Sequence, residues 1–193
     1  MSIFKTLLFA VVFLAAPLSG FSTTFTTGAK YTVCFTPGQN CTQKIIETIN
    51  ASQQQILVQA YSFTSEPIAK ALLAAKNRGV IVKVILDKSQ YKAEKYSAAK
   101  FFANQNIPVW IDSRVAISHS KVMIVDQNTV ITGSFNFTKA AQEKNAENLL
   151  IVHDASIAEL YTTNWENRLA VSTELADYKP RTKKTKTNLL VWE

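Results

Sequence analysis

The apolar positions change their period several times along the chain. KYTVCFT (30–36) alternates as a strand does, and from 40 to 52 the residues Ile45, Ile46 and Ile49 recur at helical spacing. QILVQAYS (55–62) is an apolar run of strand length. In SEPIAKALLAAKNRG (65–79), Ser65 stands where a helix is capped, Pro67 fits its first turn and Gly79 its stop. VIVKVILD (80–87) is β-branched and reads as a strand. SQYKAEKYSAAKFFANQN (89–106) reads as a helix with Tyr96, Ala99, Phe102 and Ala103 facing inward. This alternation predicts an α/β fold, a layered α-β-α sandwich on a mixed, largely parallel sheet.

After Pro108 the alternation stops. VWI (109–111), SKVMIVD (120–126) and VITGS (130–134) follow one another across turns rather than helices, which is why the sheet is expected to be mixed. ENLLIVHD (147–154) is a further buried strand, and SIAELYTTNWENRLAVSTEL (156–175) a long amphipathic helix. Trp110 and Trp165 fall at packing positions in these elements.

The two ends read differently from the middle. MSIFK, then TLLFAVVFLAAPL, then SGFSTT give the basic, apolar and small-residue order of a secretory signal peptide, too short to span a bilayer comfortably. Residues 1–22 are assigned to it, with a buried N-terminal helix or an uncleaved anchor as the alternative. Residues 23–178 form one domain, and 179–193 a basic tail that is either solvated or an electrostatic arm for phosphate backbones. Export to a periplasmic or extracellular setting favours a disulfide between Cys34 and Cys41 across the Pro-Gly turn. Two cysteines without nearby histidines make no zinc site. A net charge of +7 points to polyanionic partners without naming one.

The chemistry concentrates in HSKVMIVDQNTVITGSFN (119–136). Alternation puts His119, Lys121, Met123 and Val125 on one face of a strand. If Gln127-Asn128 is a two-residue turn, His119 faces Asn136 and Lys121 faces Ser134, so one ribbon gathers four polar side chains. Asp126 falls outside this cluster and is expected to fix the turn, while Gly133 is positioned to break the ladder. Histidine attacks phosphorus or moves a proton near neutral pH, and lysine, serine and asparagine supply donors to phosphate oxygens. No acidic cluster accompanies them to hold Mg²⁺ or Ca²⁺, so neither metal nor other cofactor is expected.

His119-x-Lys121-(x)4-Asp126-(x)6-Gly133-Ser134-x-Asn136 resembles the HKD signature of the phospholipase D superfamily at every defined position. One motif, a short chain and a signal peptide are most similar to the small Nuc-type bacterial endonucleases of that superfamily, over about residues 30–175. The resemblance implies one HKD half-site per chain. It makes His119 the nucleophile of a covalent phosphohistidine and Lys121, Ser134 and Asn136 the phosphate ligands. It also implies a downstream acid bonded to the histidine ring, Glu147 or alternatively Glu143. The second histidine of the mechanism would come from a symmetry mate in a homodimer, leaving His153 outside the site. The expected activity is metal-independent endonucleolytic cleavage of DNA, with RNA open. The alternatives are a lipid phosphodiesterase and a non-catalytic nucleic-acid-binding protein. No stable membrane partner is expected, because no amphipathic membrane helix is evident.

Overall fold

The computed structural model describes residues 24–91 and 98–180. The signal segment and nearly all of the basic tail lie outside the described residues. The elements run β1 (Lys30–Thr36), α1 (Cys41–Ala51), β2 (Gln55–Ala60), α2 (Glu66–Asn77), β3 (Ile81–Asp87), a 3₁₀ turn (Lys88–Tyr91) and α3 (Ala98–Asn104). They continue with β4 (Val109–Asp112), β5 (Lys121–Val125), β6 (Thr129–Gly133), α4 (Lys139–Glu143), β7 (Glu147–His153), α5 (Ala155–Val171) and β8 (Thr173–Glu174).

One sheet carries all of these strands in the order β1-β7-β6-β5-β2-β3-β4-β8. It is mixed, as expected, but not largely parallel. Among neighbouring strands only β2–β3 and β3–β4 run parallel, each pair joined by a helical crossover. The pairs β1–β7, β7–β6, β6–β5, β5–β2 and β4–β8 are antiparallel. The central strands β2 and β5 are buried on both faces, which explains their nearly unbroken apolar runs.

Alternate residues feed two cores. Val58, Met123, Ile131 and Leu149 pack with α1 and α2 through Ile45, Ile49, Ile68 and Leu72. Leu57, Ile85, Ile124 and Val130 pack on the other face against Ala158 and Trp165 of α5. Trp165 is buried as expected; its indole Nε1 donates to the Val58 carbonyl at 3.0 Å and its ring meets Trp110 edge-on.

Local signals explain most element ends. The Asn40 side chain caps α1 by accepting from the Gln43 amide at 3.0 Å. Cys34 and Cys41 form the expected disulfide, which ties β1 to the first turn of α1. Ser65 and Pro67 open α2, although the Ser65 side chain makes no capping bond. Gly79 follows α2 with φ +96°, a conformation that suits glycine. The last helix is shorter than its sequence pattern implies. Asp154 caps it at one end, it stops at Val171, and Thr173–Glu174 then pairs with β4 as an edge strand.

α5 is held to the sheet by an ion pair as well as by apolar contact. Arg168 forks onto both oxygens of Asp112, with Nε–Oδ2 at 2.9 Å and Nη2–Oδ1 at 2.6 Å, and the Asp112 side chain is 0% exposed. Removing the cation leaves a buried carboxylate unpaired. Arg168→Ala is therefore expected to lower stability by about 3 kcal/mol, toward the lower end for a broken buried pair because Arg168 keeps some solvent contact. A urea titration should show an earlier midpoint at unchanged slope.

Candidate active site

The motif residues converge at the end of the sheet where β2 and β3 finish and β5 and β7 begin. Ligand sites form at the carboxyl ends of parallel strands, where the connectivity changes direction. β5 supplies Lys121, which is only 6% exposed. Its Nζ lies 2.9 Å from His119 Nδ1 and donates to the His119 carbonyl at 2.6 Å. The imidazole itself is exposed. With the lysine protonated, Nδ1 accepts and the neutral ring carries its proton on Nε2.

The hairpin register differs from the two-residue turn expected at Gln127-Asn128. Val125 pairs with Thr129, and the positive φ values fall at Asp126 (51°) and Gln127 (55°). Asp126 is drawn into that conformation by a neighbouring segment. Its Oδ2 accepts from the Gln53 amide at 2.8 Å, and its Oδ1 from the Gln54 and Gln55 amides at 2.8 and 3.0 Å. Asp126 thus fixes the entry to β2, at the end of the sheet away from His119.

A one-residue shift alone would set Lys121 opposite Gly133 rather than Ser134. The ladder breaks at that glycine. The Asn148 carbonyl accepts from both the Ser134 and Phe135 amides, at 3.1 and 3.2 Å, so one β7 residue opposes two. Gly133 has φ +142°, and a Cβ there would sit 2.3 Å from the Asn148 carbonyl oxygen. Only glycine fits this kink, which delivers Ser134 to the site. The Ser134 hydroxyl donates to Glu147 Oε2 at 2.5 Å and accepts from the Asn148 amide at 3.0 Å.

Glu147 departs from its expected bond to the histidine ring. Its carboxylate accepts from Ser134 and, at 2.8 Å, from Asn145 Nδ2, while the ring nitrogen is met by Lys121. Its charge still acts on the cluster. Burial pushes the Lys121 ammonium below its ordinary pKa, and Glu147 opposes that shift. Glu143, the alternative, pairs with Lys139 at 3.6 Å on the surface. Asn136 is half-buried, and its Oδ1 has no hydrogen-bond partner among the described residues. The segment carrying it is pinned beside β2, because the Phe137 carbonyl accepts from the Thr64 and Ser65 amides, each at 2.9 Å.

His153 pairs with Lys30 and Thr129 and contacts Thr129 Oγ1 at 2.9 Å through Nδ1. It stands at the far end of β7 from Glu147, about 20 Å away at the rise of an extended strand. Sequence reasoning missed Tyr61. It follows β2, its amide donates to the Ser120 carbonyl at 2.8 Å, and its ring lies 4.5 Å from the His119 ring, tilted by 52°. Lys121 Nζ stands 5.1 Å from the same ring's centre. An aromatic just past a strand carries no local mark of this contact. Among the described residues, no three His, Cys, Asp or Glu side chains gather where a metal ion could be held.

A sheet of this order, with a buried lysine against an exposed imidazole at its strand ends, defines a phosphodiester-processing α/β enzyme. A family model described as "Cardiolipin synthase, PLD-like domain" matches residues 45–169. A relative named phospholipase D from Rickettsia felis is 44% identical over 142 residues, covering 74% of this chain and 70% of its own. The crystal structure of Nuc from Salmonella typhimurium, a phospholipase D family member, superposes with a TM-score of 0.73 at 37% identity, covering 79% of this chain and 99% of that one. The dog mitochondrial cardiolipin hydrolase is 30% identical over 129 residues, covering 67% of this chain and 50% of its own. The chain belongs to the phospholipase D-like family and is an enzyme acting on phosphodiester bonds.

The lysine's environment gives a pH signature. Its charge is lost at lower pH than for a free lysine, so activity should fall on the alkaline side before pH 10.5. Glu147→Gln removes the opposing charge and should move that limb to still lower pH. A pH–rate profile of both proteins checks the direction.

Proposed function

We infer that this chain is an exported, metal-independent endonuclease that cleaves DNA with little sequence preference, with RNA as a further substrate. The carrying observation is Lys121, a buried cation whose ammonium meets an exposed imidazole at 2.9 Å. A cation held out of water calls for an anion in front of it, and the imidazole beside it can take up phosphorus. A net charge of +7 favours a polyanion, whose phosphates are bound without regard to sequence. The similarity to Nuc over nearly all of that protein supports the same direction. The disulfide supports export.

The reaction runs in two displacements. His119 Nε2 attacks phosphorus while Lys121, Ser134 and Asn136 hold the non-bridging oxygens, and the P–O bond to the leaving group breaks. The departing oxygen takes a proton from a second, protonated imidazole. That imidazole, now neutral, removes a proton from water, whose oxygen attacks phosphorus and breaks the P–N bond. Attack requires an unprotonated Nε2, so the attacking ring is the neutral tautomer with its proton on Nδ1, and Lys121 Nζ then donates to the His119 carbonyl and the phosphate rather than to the ring. The acid is the His119 of a second copy across a two-fold axis, because this chain's other histidine lies at the opposite end of β7.

A lipid substrate is the second reading, and the phospholipase D and cardiolipin hydrolase names of the relatives favour it. Plasmid nicking with EDTA in excess tests both together with vesicles of phosphatidylcholine or cardiolipin. Cleavage of plasmid but not lipid, undiminished by chelator, is expected. His119→Ala should lower turnover by at least 10³-fold, within the range for losing a nucleophile, while DNA is still retained. Cleavage that stops with EDTA, or survives in His119→Ala, removes the mechanism. Sedimentation of the active enzyme should show a dimer; an active monomer excludes the shared site.

A further inference from the structure

A cavity of about 450 Å³ opens beside the histidine, and none of the chemistry above uses it. Tyr61 belongs to both: its ring rests against His119 and also lines this groove. The other walls are Lys88 and Ser89 of the 3₁₀ turn, Ile117 of the β4–β5 loop, and Tyr178 with Pro180. The groove therefore starts at the reacting centre and ends where the basic tail begins.

Its surfaces are of two kinds. Ile117 is 56% exposed, a large apolar side chain presented to solvent next to a charged site. Tyr178 is braced edge-to-face against Tyr91, with ring centres 4.9 Å apart, so it is held as a fixed platform. Around these stand cations. Lys88 Nζ donates to the Val115 carbonyl at 2.8 Å, joining the turn to the loop, and Arg114 and Lys179 are exposed nearby in sequence. The one carboxylate in the lining, Asp87, is buried. Its oxygens accept from the Ser89 and Ser118 amides at 2.8 and 2.7 Å, so its charge is committed to the backbone.

Flat aromatic and aliphatic faces rimmed by cations, adjoining a phosphate site, match one nucleotide of a strand, whose base is apolar on its faces and whose phosphates are anionic. We propose that this groove is a nucleobase subsite, gripping the base next to the scissile phosphate between Tyr178 and Ile117, with Lys88 on its rim beside the strand's phosphates. This rests on the nuclease reading, and it locates the part of the substrate that a small phosphodiester lacks.

Three chromogenic diesters with the same leaving group separate the subsite from the chemistry. Thymidine 5′-(p-nitrophenyl phosphate) and its 3′ isomer carry a base; methyl p-nitrophenyl phosphate does not. For the wild-type full-length chain, one of the thymidine diesters should show a KM about tenfold below that of the methyl diester, the low end of what one stacked base contributes. Tyr178→Ala and Ile117→Ser should each erase most of that ratio and leave kcat and KM for the methyl diester within about twofold. Tyr178→Phe should restore it. Equal KM values for all three diesters in the wild type, or a ratio that survives both substitutions, overturns the subsite. If Tyr178→Ala depresses both substrate classes alike, Ile117→Ser, which removes an exposed side chain, decides by the same ratio. A wild type that nicks no plasmid but hydrolyses vesicle lipid defeats the nuclease reading itself, a result visible before any variant is made.

Discussion

The site is organised around a charge placed where charge is costly. Lys121 is the first residue of a strand otherwise made of Val, Met and Ile, and that strand is buried throughout. An ammonium taken out of water needs partners that restore part of its hydration. Here they are the His119 carbonyl and ring nitrogen, the face of Tyr61 and the more distant charge of Glu147. These partners are mostly neutral, so the positive potential is only partly cancelled. What remains is directed at the opening where the imidazole is exposed. In the proposed reaction a phosphate arriving there completes the solvation of the lysine, which would give binding and catalysis one electrostatic origin.

Holding that arrangement takes strained or committed backbone on both sides of the lysine. At the far end of the hairpin, Asp126 spends its carboxylate on three amides ahead of β2 and so fixes strand β5 against β2. At the near end, Gly133 lets β6 kink so closely to Asn148 that a methyl group would not fit. The first contact sets the lysine's height in the sheet. The second lifts Ser134 out of the ladder so that its hydroxyl reaches Glu147. Asp126 and Gly133, which the proposed reaction does not use at phosphorus, are thus the motif residues that determine where the others stand.

Most strands and helices were legible because each has a clear period or a chemical stop: the Ile45/Ile49 spacing, the cap at Asn40, the glycine after α2. The motif was legible because its residues lie within one hairpin at fixed spacing. What escaped has a common physical cause, which is contact between segments distant in sequence. The register turned on Asp126 answering to residues 53–55 rather than to its own turn. A two-residue strand such as Thr173–Glu174 has no period of its own and exists only because β4 offers an edge. Tyr61 and the partners of Glu147 are likewise set by the meeting of β2, β5 and β7. The largely parallel character was not met because β5, β6 and β7 are inserted as antiparallel strands between β1 and β2, which α1 joins.

The protonation states of the imidazole bear on the shared site proposed above. With Lys121 at Nδ1, the neutral ring presents an N–H at Nε2, the form that donates rather than attacks. The proposed mechanism uses two rings at the same phosphorus, one able to bond and one able to give a proton. Two copies of the same ring can fill both roles, the attacking one as the neutral tautomer with a free Nε2, the other as the imidazolium that gives its Nε2 proton to the leaving oxygen. In that proposal two exposed histidines, each beside a buried lysine, serve an asymmetric reaction, and the exposure of His119 leaves its ring open to a second one.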